Sequence, residues 1–467
     1  MVGLSALLVG GGVVDRGADR GVADSVVVER ALMPTAAAGG SLSSSWYCTG
    51  TSPADAATTA TVVLVNAGSR PVRGTIRAVP PQGQAASAPV TLAAHSTLAL
   101  VLADIAPGAA AALVDVDGGE VAAEMVVRRA DQNGVNDAEV TPCASSASDR
   151  WYFPDGSTAK DATLLLSLFN PFPEDAIVDL SFVTDQGRAV PAAFQGLVVP
   201  GGGVLVTDVG QHVRRRASIA TEVVARAGRV VAAQHQSRSA PGLSGLSSAL
   251  GAPSLGTAWF FADGINAPGL VERFTVSNPD AREANILVEV DVDEGVVEPL
   301  ERAVPGHSQL QLVLDEQAGV PAGTPHATTV RSLDGVPVVV TRATEGVAPS
   351  PRVGRADTLG ARRVARNWAF AAGNPEGVEE WIEVANGGTE PARITVAMVA
   401  DGRETPLAGL SGLELQGGRR VALLLSQSGL PPGRSVVVRS TRPVVAERAL
   451  YRVGAPGLSA SVGIPLD

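Results

Sequence analysis

The stretch that decides the fold is "DRWYFPDGST", Asp149–Thr158, because it recurs. "WYCTG" starts at Trp46, "WYFPDG" at Trp151, "WFFADG" at Trp259 and "WAFAAG" at Trp368, at spacings of 105, 108 and 109 residues. Four of the five tryptophans hold this one position; the fifth, Trp381, lies inside the last unit. A period near 105 residues is too long for a solenoid repeat or a propeller blade and fits one small β-sandwich. Within the stretch, Trp151 and Phe153 are two residues apart and share one face of a strand. They are expected to anchor a core, with Tyr152 pointing away and Asp155–Gly156 making the turn that follows.

Each unit continues in the same way. A strand-like run ends in Asn66, Asn170, Asn278 or Asn386, where an Asn side chain can bond the backbone two residues on. Alternating runs such as "IVDLSFV", "ILVEVDV" and "ITVAMVA" read as half-buried antiparallel strands, with "TIRAV" a weaker copy. A turn follows in which His95 and His307 occupy a slot held by Gly in the other units; both read as surface turn residues. The closing strands align His235 with Arg448, which suggests a solvent-facing column. The fold class is therefore all-β, four tandem immunoglobulin-like antiparallel sandwiches after a short apolar N-terminal segment. The boundaries read as 1–24 (signal-like or anchor), 25–45 (an N-terminal strand and lead-in), 46–147, 148–255, 256–364 and 365–467. Four sandwiches in series are expected to form a rod. Ser25–Leu32, "SVVVERAL", copies the closing-strand sequence "PVVAERAL" at Pro443–Leu450 and reads as an extra docking strand.

Composition narrows the function. The 467 residues carry a net charge of −11, which argues against a nucleic-acid partner. Val2–Val14 is an apolar run of signal-peptide length without a basic flank, so membrane contact is expected only through that segment. Two cysteines, Cys48 and Cys143, point to a disulfide and an oxidising compartment. Cys48 aligns with Phe153, Phe261 and Phe370, a core-facing position, and Cys143 follows the first unit's last strand. The five histidines (95, 212, 235, 307 and 326) show no metal-ligand spacing, so no metal or cofactor is expected.

The motifs "WYFPDGST", "LLSLFNPF" and "PVVAERALYRVGAPGLSASVGI" resemble a repeat of actinobacterial secreted proteins, the family known as domain of unknown function 5719. The resemblance implies an exported, envelope-associated protein built of β-sandwich repeats. It implies no activity. The acid of the motif stands at Asp155 and Asp263 and is missing from the first unit and at Ala372, which speaks against a shared acid-dependent site.

No nucleophile elbow, phosphate loop, HExxH or CxxC is present. Asp291, Asp293 and Glu294 are the best local carboxylate cluster and read as a solvated strand end. The expected function is a non-catalytic extracytoplasmic scaffold, a monomer meeting an envelope protein or a wall polymer. The alternative is a carbohydrate-binding module, for which Trp381 and Tyr451 are the aromatic rings outside the repeat anchors.

Overall fold

The computed structural model describes residues 32–50, 58–130, 136–240, 243–315 and 318–467. The signal-like segment and residues 25–31 of the expected docking strand lie outside the described residues. The first sandwich pairs β1 (Ser44–Thr49), β6 (Ala111–Val116), β3 (Val72–Val79) and β4 (Ala86–Leu92) in one sheet. Its second sheet runs β5 (Ser96–Val101), β2 (Thr58–Asn66), β7 (Val121–Ala130), β8 (Asn136–Pro142). The second sandwich repeats this order with β9 (Arg150–Phe153), β15 (Ile219–Ala227), β11 (Ala176–Thr184) and the short β12 (Gly187–Ala189) and β13 (Leu197–Val199). Opposite it lie β14 (Val204–Asp208), β10 (Ala162–Phe169), β16 (Val231–Ala240) and β17 (Leu243–Leu250).

The third sandwich has β18 (Ala258–Phe261), β23 (His326–Ser332), β20 (Ala284–Val292) and β21 (Leu300–Val304) facing β22 (Ser308–Val313), β19 (Leu270–Asn278), β24 (Val339–Gly346) and β25 (Gly354–Leu359). In the fourth, β26 (Ala365–Phe370), β28 (Ala392–Ala400), β29 (Arg403–Pro406) and β30 (Leu413–Leu415) face β27 (Glu379–Asn386), β31 (Arg419–Leu424) and β33 (Leu458–Val462). Its long β32 (Ser435–Tyr451) runs through both sheets, and β34 (Ile464–Pro465) pairs with β26. All four are antiparallel sandwiches, as the period-two runs imply.

The repeat anchors do the same job in each copy. The tryptophans are almost fully buried, and each indole donates to the backbone carbonyl of a valine in the closing half of its own unit: Trp46 to Val121, Trp151 to Val230, Trp259 to Val338 and Trp368 to Val444, at 2.8–3.1 Å. That satisfies the one polar atom of a large core ring. Each Asn closes a turn. Its Oδ1 accepts from the N–H two residues on (Gly68, Phe172, Asp280 and Gly388), while its Nδ2 donates to the carbonyl four residues on and to a later one. The His/Gly slot has left-handed backbone in every copy: φ is 44° at His95, 65° at Gly202, 51° at His307 and 65° at Gly418. His307 is exposed, whereas His95 is half-buried, 3.8 Å from Glu404 of the fourth sandwich.

The sandwiches do not form a rod. Strand β8 packs on β17, β17 on β25, β25 on β33, and β33 returns to β8. Each of these is the outer strand of its sheet, so the ring covers four edges that would otherwise stand unpaired. The closing seam joins the last sandwich to the first. Ser459 Oγ accepts from Val140 N at 3.1 Å, and the first sandwich's core runs on into Ala369, Ala371, Val399, Val437, Leu450 and Ile464 of the fourth. The rod expectation failed because the linkers are short and their backbone is used. Ala144, Ala252 and Ala361 each pair back onto the opening strand, at Tyr47, Tyr152 and Phe260, before the chain crosses to the next unit.

Cys48 and Cys143 are disulfide-bonded. The repeat explains where the bond sits. Cys143, Gly251, Gly360 and Gly463 are equivalent, since their N–H groups bond the matching carbonyls of Ala123, Ala232, Val340 and Ala446. In the last three units a Cβ on the glycine would come within 2.6–2.8 Å of the ring of Phe153, Phe261 or Phe370. Three units thus fill one core position with a Phe against a Gly; the first fills it with a disulfide.

Candidate functional site

Three expectations about surface chemistry are overturned by the ring. His235 and Arg448 are not a solvent-facing column; they are 2% and 1% exposed. They are also not equivalent. Counting from the tryptophan-bound valines, Gln234, Arg342 and Arg448 share a slot, and each donates to the carbonyl four residues after its own Trp (Asp155, Asp263 and Ala372). A one-residue offset in a strand moves a side chain to the other face. His235 instead faces the first sandwich at Gly50, with its Nδ1 2.8 Å from Ser248 Oγ. Burial lowers its pKa to about 4, so the ring is neutral.

The second correction concerns the aromatic–acid stretch. Trp151 and Phe153 anchor the second core, and Tyr152 points away from it. Tyr152 is nevertheless buried, packed into the third sandwich's core. Asp155 is no turn residue: it is 6% exposed, and its Oδ2 lies 2.7 Å from Arg355 Nη2 across the seam. Asp263 is used likewise. It meets Arg352 at 3.0 Å, Arg342 at 3.6 Å and Arg420 of the fourth sandwich at 3.9 Å. Burial works to raise its pKa, but Arg352, Arg342 and Arg420 outweigh it and hold the carboxyl ionised.

The third correction concerns Trp381 and Tyr451, the candidate rings of the alternative carbohydrate-binding reading. Tyr451 is buried beneath Arg352, whose guanidinium lies 5.1 Å from the ring centroid, and Trp381 is half-buried against the same cluster with its Nε1 on Glu379.

The seams share one device. Across the third–fourth seam, Arg342 Nη1 meets Glu447 at 3.0 Å, and Glu447 accepts from Asp263 N at 3.2 Å. Across the fourth–first seam, Arg448 Nη2 meets Glu124 at 3.0 Å, and Glu124 accepts from Ala372 N at 2.7 Å. Glu447 and Glu124 are equivalent, so one Arg–Glu pair recurs at successive seams. The slots hold Met125 with Ala233 at the first–second seam and Gln234 with Thr341 at the second–third. Beside Arg448, 4.0 Å away, burial raises the Glu380 carboxyl to about 7. Burial and neighbouring Asp263 likewise raise Glu383. Burial would lower His326, but Glu272, 2.7 Å away, raises it.

The third–fourth seam opens into a cleft. Between the third and fourth sandwiches a cavity of about 420 Å³ is lined by Phe260, Asp291, Thr329, Arg331, Gly387–Glu390 and Arg442, among others. Asp293 and Glu294 are exposed as expected, whereas Asp291 is half-buried on the cleft floor. Sequence reading missed the cleft because its floor comes from one repeat and its wall from the next.

Residues 136–246 match a family of unknown function, DUF5719. The DUF5719 stretch opens on β8 of the first sandwich and ends inside β17 of the second. No curated protein matches the chain. Among solved structures, the chain is similar to Thermotoga maritima 1070 (22% identity, 23% of this chain and 94% of that one, TM-score 0.21). It is also similar to the Anabaena sensory rhodopsin transducer (22% identity, 19% and 88%, TM-score 0.17). A tandem CBM22 domain of Paenibacillus barcinonensis Xyn10C aligns at 9% identity (48% and 85%, TM-score 0.14).

Proposed function

We propose that the protein is a non-catalytic scaffold of the cell envelope, exported in the manner of the actinobacterial secreted repeats its motifs resemble. It works as a preassembled, rigid four-sandwich ring that presents its outer loops and clefts to an envelope protein or wall polymer. The observation that carries this reading is the closing seam, where Arg448 and Glu124 are paired and buried, 324 residues apart in sequence. Charges are buried in this way only where both partners are held in place. The Cys48–Cys143 bond supports an oxidising compartment, where such bonds persist. The recurring devices of the repeat, Trp to carbonyl, Asn to turn and Arg to Glu, all serve assembly rather than present a reacting group. The test is export of the full chain fused to a reporter active only outside the cytoplasm, with cross-linked capture from the native envelope. Reporter activity with a disulfide-bonded chain supports the reading; a reduced, cytoplasmic chain contradicts it.

A further inference from the structure

The cleft at the third–fourth seam has a counterpart at the second–third seam, and the comparison shows what opens it. There the matching space is only about 60 Å³, lined by Tyr152, Arg188, Glu222, Pro279 and His307. Strand pairing sets the equivalences. Tyr152 stands opposite Glu222, and Phe260 stands opposite Thr329. Pro279 and Asp280 follow Asn278 as Gly387 and Gly388 follow Asn386, and His307 shares its left-handed slot with Gly418. At the third–fourth seam a glutamate has become a threonine, and proline, aspartate and histidine have become glycines. Glu222, Pro279 and His307 line the smaller space, whereas Thr329, Gly387 and Gly388 line the larger, which is of the size of small-ligand sites.

Its lining mixes apolar and polar groups and is charge-balanced. Arg331 is bound to Glu289 at 2.8 Å and lies 5.4 Å from the Phe260 centroid; Arg442 is paired with Glu390 at the rim. Arg419 donates to the carbonyls of Val292 and Asp293 beside Asp291. No net charge selects an ion. What remains is the half-buried Phe260 ring, the Asp291 carboxylate, the Arg331 guanidinium held by Glu289, and the Thr329 hydroxyl. We propose that this cleft binds a neutral saccharide unit, with Phe260 meeting the apolar face of a pyranose and Asp291, Thr329 and Arg331 bonding its hydroxyls. An aromatic side chain suits a ligand with one apolar face and polar edges. This goes beyond the scaffold role by giving the ring a ligand. It rests on the seam geometry and not on export.

The test is isothermal titration and NMR of the full chain with three neutral tetrasaccharides: cellotetraose, chitotetraose and maltotetraose. At least one is expected to bind. Phe260→Ala and Asp291→Asn should each weaken it about tenfold. A refilled seam, Gly387→Pro with Gly418→His, should abolish binding while thermal unfolding stays as in the parent, because both residues already occupy those slots elsewhere in the chain. Absence of binding by all three sugars overturns the proposal, and so does binding that persists in the refilled variant. Either failure leaves the scaffold reading standing, since export and capture are measured separately.

Discussion

Replacing Arg448 by Gln probes the closing seam with a side chain that the protein already uses. Gln234 holds the equivalent slot and keeps the bond to the carbonyl four residues after the tryptophan. The variant therefore retains one contact and removes one charge. What it strands is chiefly Glu124, fully buried and 3.0 Å from the lost guanidinium; Glu380, 4.0 Å away, is already pushed towards its neutral form by burial. Leaving a buried charge without its partner costs about 3–5 kcal/mol. The second variant, Arg448→Gln with Glu124→Gln, removes the stranded charge and keeps an acceptor for Ala372 N. Replacing both members of a buried pair by fitted neutral groups is often nearly neutral, so most of the loss should return, leaving a deficit of about 1 kcal/mol. The assay is urea unfolding of the parent, both single variants and the double, read as a mutant cycle. Hydrogen exchange along β8 and β33 would report the seam itself. A single variant that loses under about 1 kcal/mol, or a double that loses the sum of the singles, would show that the Arg448–Glu124 pair does not hold the seam.

The first core position allows an exchange of chemistries: Cys48→Phe alone should clash with Cys143, whereas Cys48→Phe with Cys143→Gly should fold by copying the Phe–Gly pairs of the other units. Losing the disulfide, which links residues 95 apart, should still lower stability by up to about 4–5 kcal/mol in denaturant melts. Asn278→Ala strips donors from the carbonyls of Arg282 and Val304 and should cost about 2–3 kcal/mol, checked by calorimetry. Two buried groups give opposite pH dependences. His235, held at about 4, stabilises fully above its ordinary value of 6.5 and loses that contribution as pH falls towards 4. Glu380, held at about 7, stabilises below its ordinary 4.5 and loses that contribution as pH rises through 7. His235→Gln should therefore expose a stability that declines on raising pH from about 4.5 to 7, and Glu380→Gln one that declines on lowering it from about 6.5 to 4. Unchanged profiles in both variants would count against the burial of these groups.

The repeat was legible because its markers are local: a rare tryptophan every 105 to 109 residues, an Asn at each strand end, and period-two runs between turns. The disulfide followed from the two-cysteine count and the signal-like start, and its core position from the alignment of Cys48 with phenylalanines. The ring was not legible, since nothing in one unit's pattern says which edge meets the next. Buried Arg342, Arg355 and Arg448 look in sequence like ordinary strand charges; only their partners in other sandwiches reveal them as seam residues. Asp155 misled for the same reason, because the acid after an aromatic strand reads as a turn until Arg355 is seen opposite. His235 misled through a one-residue offset, which the Trp151–Val230 bond corrects. The cleft at Phe260 and Gly387–Glu390 was invisible because it depends on the size of side chains missing at one seam and present at another.

The fourth sandwich closes on the first, and small-angle scattering of the full chain distinguishes that ring from a rod. A closed ring of 467 residues should give a radius of gyration near the compact-chain value of about 23 Å, with a distance distribution that falls to zero without a long tail. Four sandwiches end to end, each about 30 Å along its strands, would instead give about 35 Å and an extended tail, and that result would contradict the ring.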